Sequence, residues 1–109
     1  MAITVLANRQ VPASGSSGIV RNVTILSSST ITAGTVSSTD YIYICNGTCV
    51  ITLPTAVGNT NMYTIKNTSG TDTVNTTSSQ TIDGSTSIQL LVVNQSIDII
   101  SNGTNWLII

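Results

Sequence analysis

Tyr41-Ile-Tyr-Ile-Cys45-Asn46-Gly47-Thr48-Cys49-Val-Ile-Thr-Leu53-Pro54 is the stretch on which the fold turns. Aromatic and β-branched residues alternate on both sides of Asn46-Gly47, and Asn-Gly between two such runs predicts a β-hairpin closed by a tight turn. Two registers are open. A two-residue turn faces Ile44 with Cys49 and puts Ile42, Ile44 and Ile51 on one face, whereas a three-residue loop faces Cys45 with Cys49 and brings the sulfurs together.

Outward from this stretch the same texture continues. No helical apolar period lasts more than two turns, so strand and turn make up nearly the whole chain. Upstream, Ile3 to Ala7, Ile19 to Leu26 and Thr30 to Val36 read as strands, with the linker-like residues 12–18 between the first two. Downstream, strands are expected at Met62 to Asn67, Thr73 to Thr77, Ser87 to Val93, Ser96 to Ser101 and Trp106 to Ile109. Short strands at this spacing predict an all-β fold, an antiparallel β-sandwich or barrel-like domain over residues 40–109, preceded by an extended N-terminal arm over residues 1–39.

The composition narrows the function. The 109 residues suffice for one ordinary domain, and Ser, Thr and Asn supply 15, 19 and 10 of them. Only 6% are charged, against about 25% in ordinary domains. There is no His, no Glu and one Lys, so the groups that usually carry acid, base or nucleophilic chemistry are missing and no enzyme is expected. Paired carboxylates for glycan cleavage are likewise absent among four scattered Asp. Three basic residues, Arg9, Arg21 and Lys66, give a net charge of -1 and cannot hold the phosphates of a nucleic acid. Met1 to Ala7 is followed at once by Asn8-Arg9-Gln10, so no secretory leader or membrane anchor is expected and the chain reads as made in the cytoplasm. The six Asn-x-Ser/Thr triplets, at Asn22, Asn46, Asn67, Asn75, Asn94 and Asn102, then follow from composition. Mean hydropathy is positive, +0.35, which together with the small net charge points to a chain that associates with itself or with neighbours.

Few residues invite a chemical role. Cys45 and Cys49 lack the His or further Cys that would complete a zinc site. They are read either as a disulfide across the hairpin, in the three-residue register, or as two reduced thiols. Trp106 follows an Asn-Gly-Thr-Asn turn and reads as the anchor of the last strand. Its indole, with Tyr41 and Tyr43, is the alternative candidate for stacking on a glycan. Asp72 and Asp83 are read as turn caps. No cofactor and no metal is expected. Ile3, Val5, Val20, Val23 and Ile25 give the arm apolar faces to bury on a partner.

From Asp40 onward the chain resembles the C-terminal parts of bacteriophage tail fibres and other virion surface proteins. The resemblance is carried by Asp40-Tyr41, Ile51-Thr-Leu-Pro54, Tyr63-Thr-Ile-Lys-Asn67 with Ser69-Gly70, Thr81-Ile-Asp-Gly84, and Ile99-Ile-Ser-Asn-Gly-Thr-Asn-Trp-Leu-Ile108, over about two thirds of the chain. No long fibre shaft is expected ahead of these segments. The resemblance therefore implies a capsid decoration or head-fibre subunit, usually a homotrimer, attached to other virion proteins such as the major capsid protein. The alternative it implies is a receptor-binding tail-fibre tip that recognises a bacterial surface glycan.

Overall fold

The computed structural model describes residues 19–109. Among the described residues nine strands follow one another: β1 (Val20–Ser27), β2 (Thr30–Thr32), β3 (Thr39–Asn46), β4 (Cys49–Thr52), β5 (Tyr63–Ser69), β6 (Asp72–Asn75), β7 (Ser87–Leu90), β8 (Ser96–Ser101) and β9 (Trp106–Ile108). Among the described residues there is no helix, and hence none long and apolar enough to cross a membrane. The fold is all-β.

The strands form two sheets, ordered β1-β3-β5-β8-β9 and β2-β4-β6-β7. Within the first, β1, β3 and β5 run parallel; within the second, so do β2, β4 and β6. The chain thus coils three times, laying one strand on each sheet per turn. Val20 pairs with Thr39, 19 positions on, and Cys49 with Asp72, 23 positions on. After the third turn the direction reverses: β7 returns antiparallel on β6, β8 antiparallel on β5, and β9 antiparallel on β8. The sheets are therefore mixed, not antiparallel as the sequence suggested, and neither closes into a barrel. Among the described residues, β1 and β2, both within the segment read as the arm, are edge strands of these same sheets.

The expected hairpin is replaced by an arch. β3 and β4 lie in different sheets and do not pair with each other. The physical reason is visible at the turn: a two-residue type I′ hairpin turn needs positive φ at both central residues, whereas here Gly47 has φ +94° and Asn46 is not in that region. The three arches stack. Ser28, Gly47 and Gly70 occupy equivalent corners with φ of +46°, +94° and +75°. The Ser28 amide donates to the Asn46 carbonyl at 2.9 Å and the Gly47 amide to the Ser69 carbonyl at 3.1 Å, so each corner continues the ladder of the strands beside it.

The alternation in β3 resolves in favour of its tyrosines. Tyr41, Tyr43 and Cys45 are buried, while Ile42 and Ile44 stand half-buried on the outer face. Inside, the Tyr41 ring stacks on Tyr43 at 6.3 Å and on Tyr63 at 5.6 Å, and Tyr63 meets Trp106 edge-on at 5.4 Å. Such a row tolerates burial because its hydroxyls have partners. Tyr43 Oη accepts from the Gly34 amide at 2.9 Å, Tyr41 Oη accepts from the Val36 amide at 2.8 Å, and Tyr63 donates to the Gly34 carbonyl at 2.6 Å. The connection after β2 is thereby tied down over the rings. Asn61 fastens its far end, donating through Nδ2 to the carbonyls of Val36 and Thr39, both at 2.7 Å. Ile51, Leu53, Ile65, Val74, Ile82, Leu90 and Ile99 fill the rest of the interior.

Candidate functional site

Two places combine exposure or chemistry with a built surrounding. The first is the outer face of the larger sheet at its β1 edge. Residues 20–27 alternate so that Asn22, Thr24 and Leu26 share the side of Tyr41, Tyr43 and Cys45, leaving Val23 and Ile25 outward. Val23 pairs with Ile42 and Ile25 with Ile44, giving a contiguous apolar patch of four β-branched residues. Val23 is 53% and Ile25 75% exposed. Further across the same face the register continues to Thr64 and Lys66 and then to Asp98 and Ser96. There Thr64 donates to Asp98 at 2.6 Å and Lys66 Nζ to the Asn94 carbonyl at 2.8 Å. One half of the face is apolar and the other a hydrogen-bonded polar rim, the anatomy of an interaction surface. Val20 is 60% exposed at the start of β1; Ile3 and Val5 lie outside the described residues.

The second place is the interior of the arches. Cys45 ends the inward row of β3, and Cys49 opens β4 across the turn; both are fully buried free thiols. Register then brings Asp72 beside Cys49 and Asn67 beside Cys45, and both are also fully buried. The two sulfurs and an Asp72 carboxylate oxygen all lie within 4.8 Å of one another. Asp72 is not the turn cap that sequence suggested: it is a strand residue whose two carboxylate oxygens have no partner at hydrogen-bond geometry, with the Cys49 amide and Cys45 thiol as the nearest donors. Burial raises its pKa, against the lowering pull of the Cys49 amide and the Cys45 thiol nearby. Burial also pushes the Cys45 thiol up, with Asp72 and Cys49 adding to the shift. Burial thus disfavours the charged forms of Asp72 and Cys45. Asn67 donates through Nδ2 to the carbonyls of Gly70, Leu90 and Val92 at 2.8, 3.3 and 3.2 Å, while its Oδ1 has no partner.

The aromatic residues do not form a sugar platform. Trp106 is fully buried and Tyr41 and Tyr43 nearly so, with their rings engaged by one another and by Tyr63. The glycan contact placed on these three residues is corrected accordingly: side chains packed in the core offer no face to a ligand. Trp106 instead anchors β9, its amide donating to the Thr81 carbonyl at 2.8 Å and its carbonyl accepting from the Asp83 amide at 3.0 Å. Asp83 accepts from the Ile108 amide at 3.2 Å, so it ties β9 to the loop before β7. A surface hollow of about 130 Å³ does exist between the loops following β2 and β4, where Thr35, Ser37, Thr55, Asn59 and Asn61 contribute polar side chains. No aromatic residue lines it.

Neither protein-family models nor curated proteins show a match to this chain.

Sequence reasoning singled out Val23 and Ile25 of the outer patch and both thiols, but it grouped Ile42 and Ile44 with Ile51, which is buried in the core. It missed Asp72 and Asn67 as neighbours of the thiols, since only the parallel register of the coil brings residues 22 and 23 positions apart side by side. The available signal was that Asp72 stands two residues beyond Gly70 as Cys49 does beyond Gly47.

Proposed function

We propose that the chain is a bacteriophage virion structural protein, a capsid decoration or head-fibre subunit acting as a homotrimer, with its N-terminal segment toward other virion proteins such as the major capsid protein. The observation that carries this reading is the apolar patch of Val23, Ile25, Ile42 and Ile44 along β1, the eight-residue edge strand of the larger sheet. An edge of this length presents amides and carbonyls to an incoming strand, and the patch beside it supplies apolar area for the same partner. The opposite end of the coil is finished by reversed strands, with only the three-residue β9 at the edge of the larger sheet. That asymmetry supports attachment at the β1 end and an outward-facing β7–β9 end. Lasting attachment needs burial on the order of 1,000 Å², which the patch and the edge begin to provide. The virion setting itself rests on the sequence resemblance from Asp40 onward.

The test is the mass of the purified chain in solution and the location of the protein on particles. Light scattering should give three times the 11.3 kDa chain mass, and Val23→Lys with Ile25→Lys should leave the strands intact while lowering that mass or abolishing incorporation. A wild-type monomer that is also absent from particles would refute the reading. The alternative, a tail-fibre tip that holds a surface glycan, is favoured by one feature only, the polar hollow beside Thr35 and Asn59; a few copies per tail instead of many per head would select it.

A further inference from the structure

We infer that Cys45, Cys49 and Asp72 form a binding site for one Zn²⁺-class divalent cation, with Asn67 Oδ1 as the fourth ligand, clamping the second and third turns of the coil together. Two thiolates and a carboxylate are a donor set suited to a borderline-soft ion, and a hard cation would prefer an all-oxygen site. The two further ligands whose lack argued against zinc in the sequence are supplied by the fold. Cys49 and Asp72 are register partners on one sheet, Cys45 and Asn67 on the other, so two donors come from each side of the arch.

The unsatisfied atoms make the same point independently. Among the described residues, the buried side-chain polar atoms without a hydrogen-bond partner are Asp72 Oδ1, Asp72 Oδ2, Asn67 Oδ1 and Trp106 Nε1; the two Asp72 oxygens belong to the cluster, and Asn67 is the register partner of its Cys45. Buried oxygens left bare are destabilising, and a cation would satisfy them. The geometry is close to that of a loaded site. Zn–S bonds of about 2.3 Å and Zn–O bonds of about 2.0–2.2 Å in a tetrahedron set ligand atoms about 3.5–3.8 Å apart. The three atoms already lie within 4.8 Å of one another, so closing on the ion requires a contraction of about 1 Å, within reach of small χ changes. Thiols bind the metal as thiolates and release their protons on binding, so affinity rises with pH.

The experiment uses the whole chain, reduced and metal-free, titrated with Co²⁺ as a spectroscopic probe and then with Zn²⁺. Expected are one Co²⁺ per chain, a thiolate-to-cobalt charge-transfer band, tetrahedral visible bands displaced by Zn²⁺, and a rise in the unfolding temperature that chelator reverses. Cys49→Ser should weaken binding by more than about 100-fold, since even the groups that merely orient metal ligands matter by 10–100-fold. Asp72→Asn, which removes the buried carboxylate while keeping the shape of the side chain, should weaken it at least about 10-fold. Because the wild-type titration stands without any variant, misfolding of Cys49→Ser would not protect the inference. Absence of the charge-transfer band, a Co²⁺ site that survives both substitutions, or loss of both thiols to a Cys45–Cys49 disulfide in freshly isolated protein would each overturn it.

Discussion

Gly70 sits directly against Gly47 at the stacked corners: a Cβ built on Gly70 would stand 2.6 Å from the Gly47 carbonyl carbon and its oxygen. Both residues also hold positive φ. Gly70→Ala therefore meets a backbone clash and a left-handed conformation at once, which predicts a loss of about 2–4 kcal/mol from the two effects combined. Gly103, with φ +97° and open space where a Cβ would go, is the control, and Gly103→Ala should cost about 1–2 kcal/mol. Urea unfolding of the two variants checks the order; equal losses would remove the corner contact as a source of stability.

Tyr63→Phe isolates the value of one buried hydroxyl. Its Oη donates to the Gly34 carbonyl at 2.6 Å and accepts from Asn59 Nδ2 at 2.9 Å. The ring contacts with Tyr41 and Trp106 persist in the variant, so the loss is that of unsatisfied partners, about 1–3 kcal/mol. The loop after β2 should also exchange its amides faster, because Gly34 loses one of its ties to the core. Unchanged hydrogen exchange at residues 33–38 would mean that the loop is held by other contacts.

The tyrosines also set an alkaline limit. Burial raises the pKa of Tyr43, opposed by the Gly34 amide, and of Tyr63, opposed by Asn59. A group whose folded pKa exceeds its unfolded value of about 10 contributes stability that is complete below that pH and lost as pH rises through the folded value. Phenolate absorbance for these two residues should thus appear above pH 10 and together with unfolding. In Tyr43→Phe the fall of stability with alkaline pH should be shallower. Ionisation of Tyr43 and Tyr63 at pH 10 with the strands intact would contradict the buried row.

If the chain coats a particle, the forces that hold it are apolar burial and strand pairing. With three basic and four acidic residues it can make few ion pairs, each worth about 0–1 kcal/mol when exposed. A wash in 1 M NaCl, where the screening length is about 3 Å, should leave the protein attached, and urea should release it. Release by salt alone would put Arg9 and Arg21 ahead of the Val23 and Ile25 patch.

The strands themselves were legible. Segments read from alternation, such as Ile19 to Leu26, Tyr41 to Cys45 and Ser96 to Ser101, coincide with β1, β3 and β8 to within two residues at each end. Pairing direction was not, because alternation fixes which residues share a face and says nothing of the neighbour. Asn46-Gly47 misled for the same reason: glycine supplies positive φ to a hairpin and to an arch alike. The inner face of β3 was also ambiguous, since tyrosine and isoleucine both suit a core once the hydroxyls find partners, and those partners, at Gly34 and Val36, are remote in the chain. The thiols were evident, but Asp72 becomes their neighbour only through a full turn of the coil.

A chain that winds in this way measures its own height by counting. Each added turn would raise the stack by one strand spacing, about 4.8 Å, while every side chain in the turns already present kept its direction. A single residue inserted within β3 would instead reverse inside and outside for everything between it and the next corner. Length in such a molecule changes in steps of a whole winding, and the corner line of Ser28, Gly47 and Gly70 is where those steps are marked.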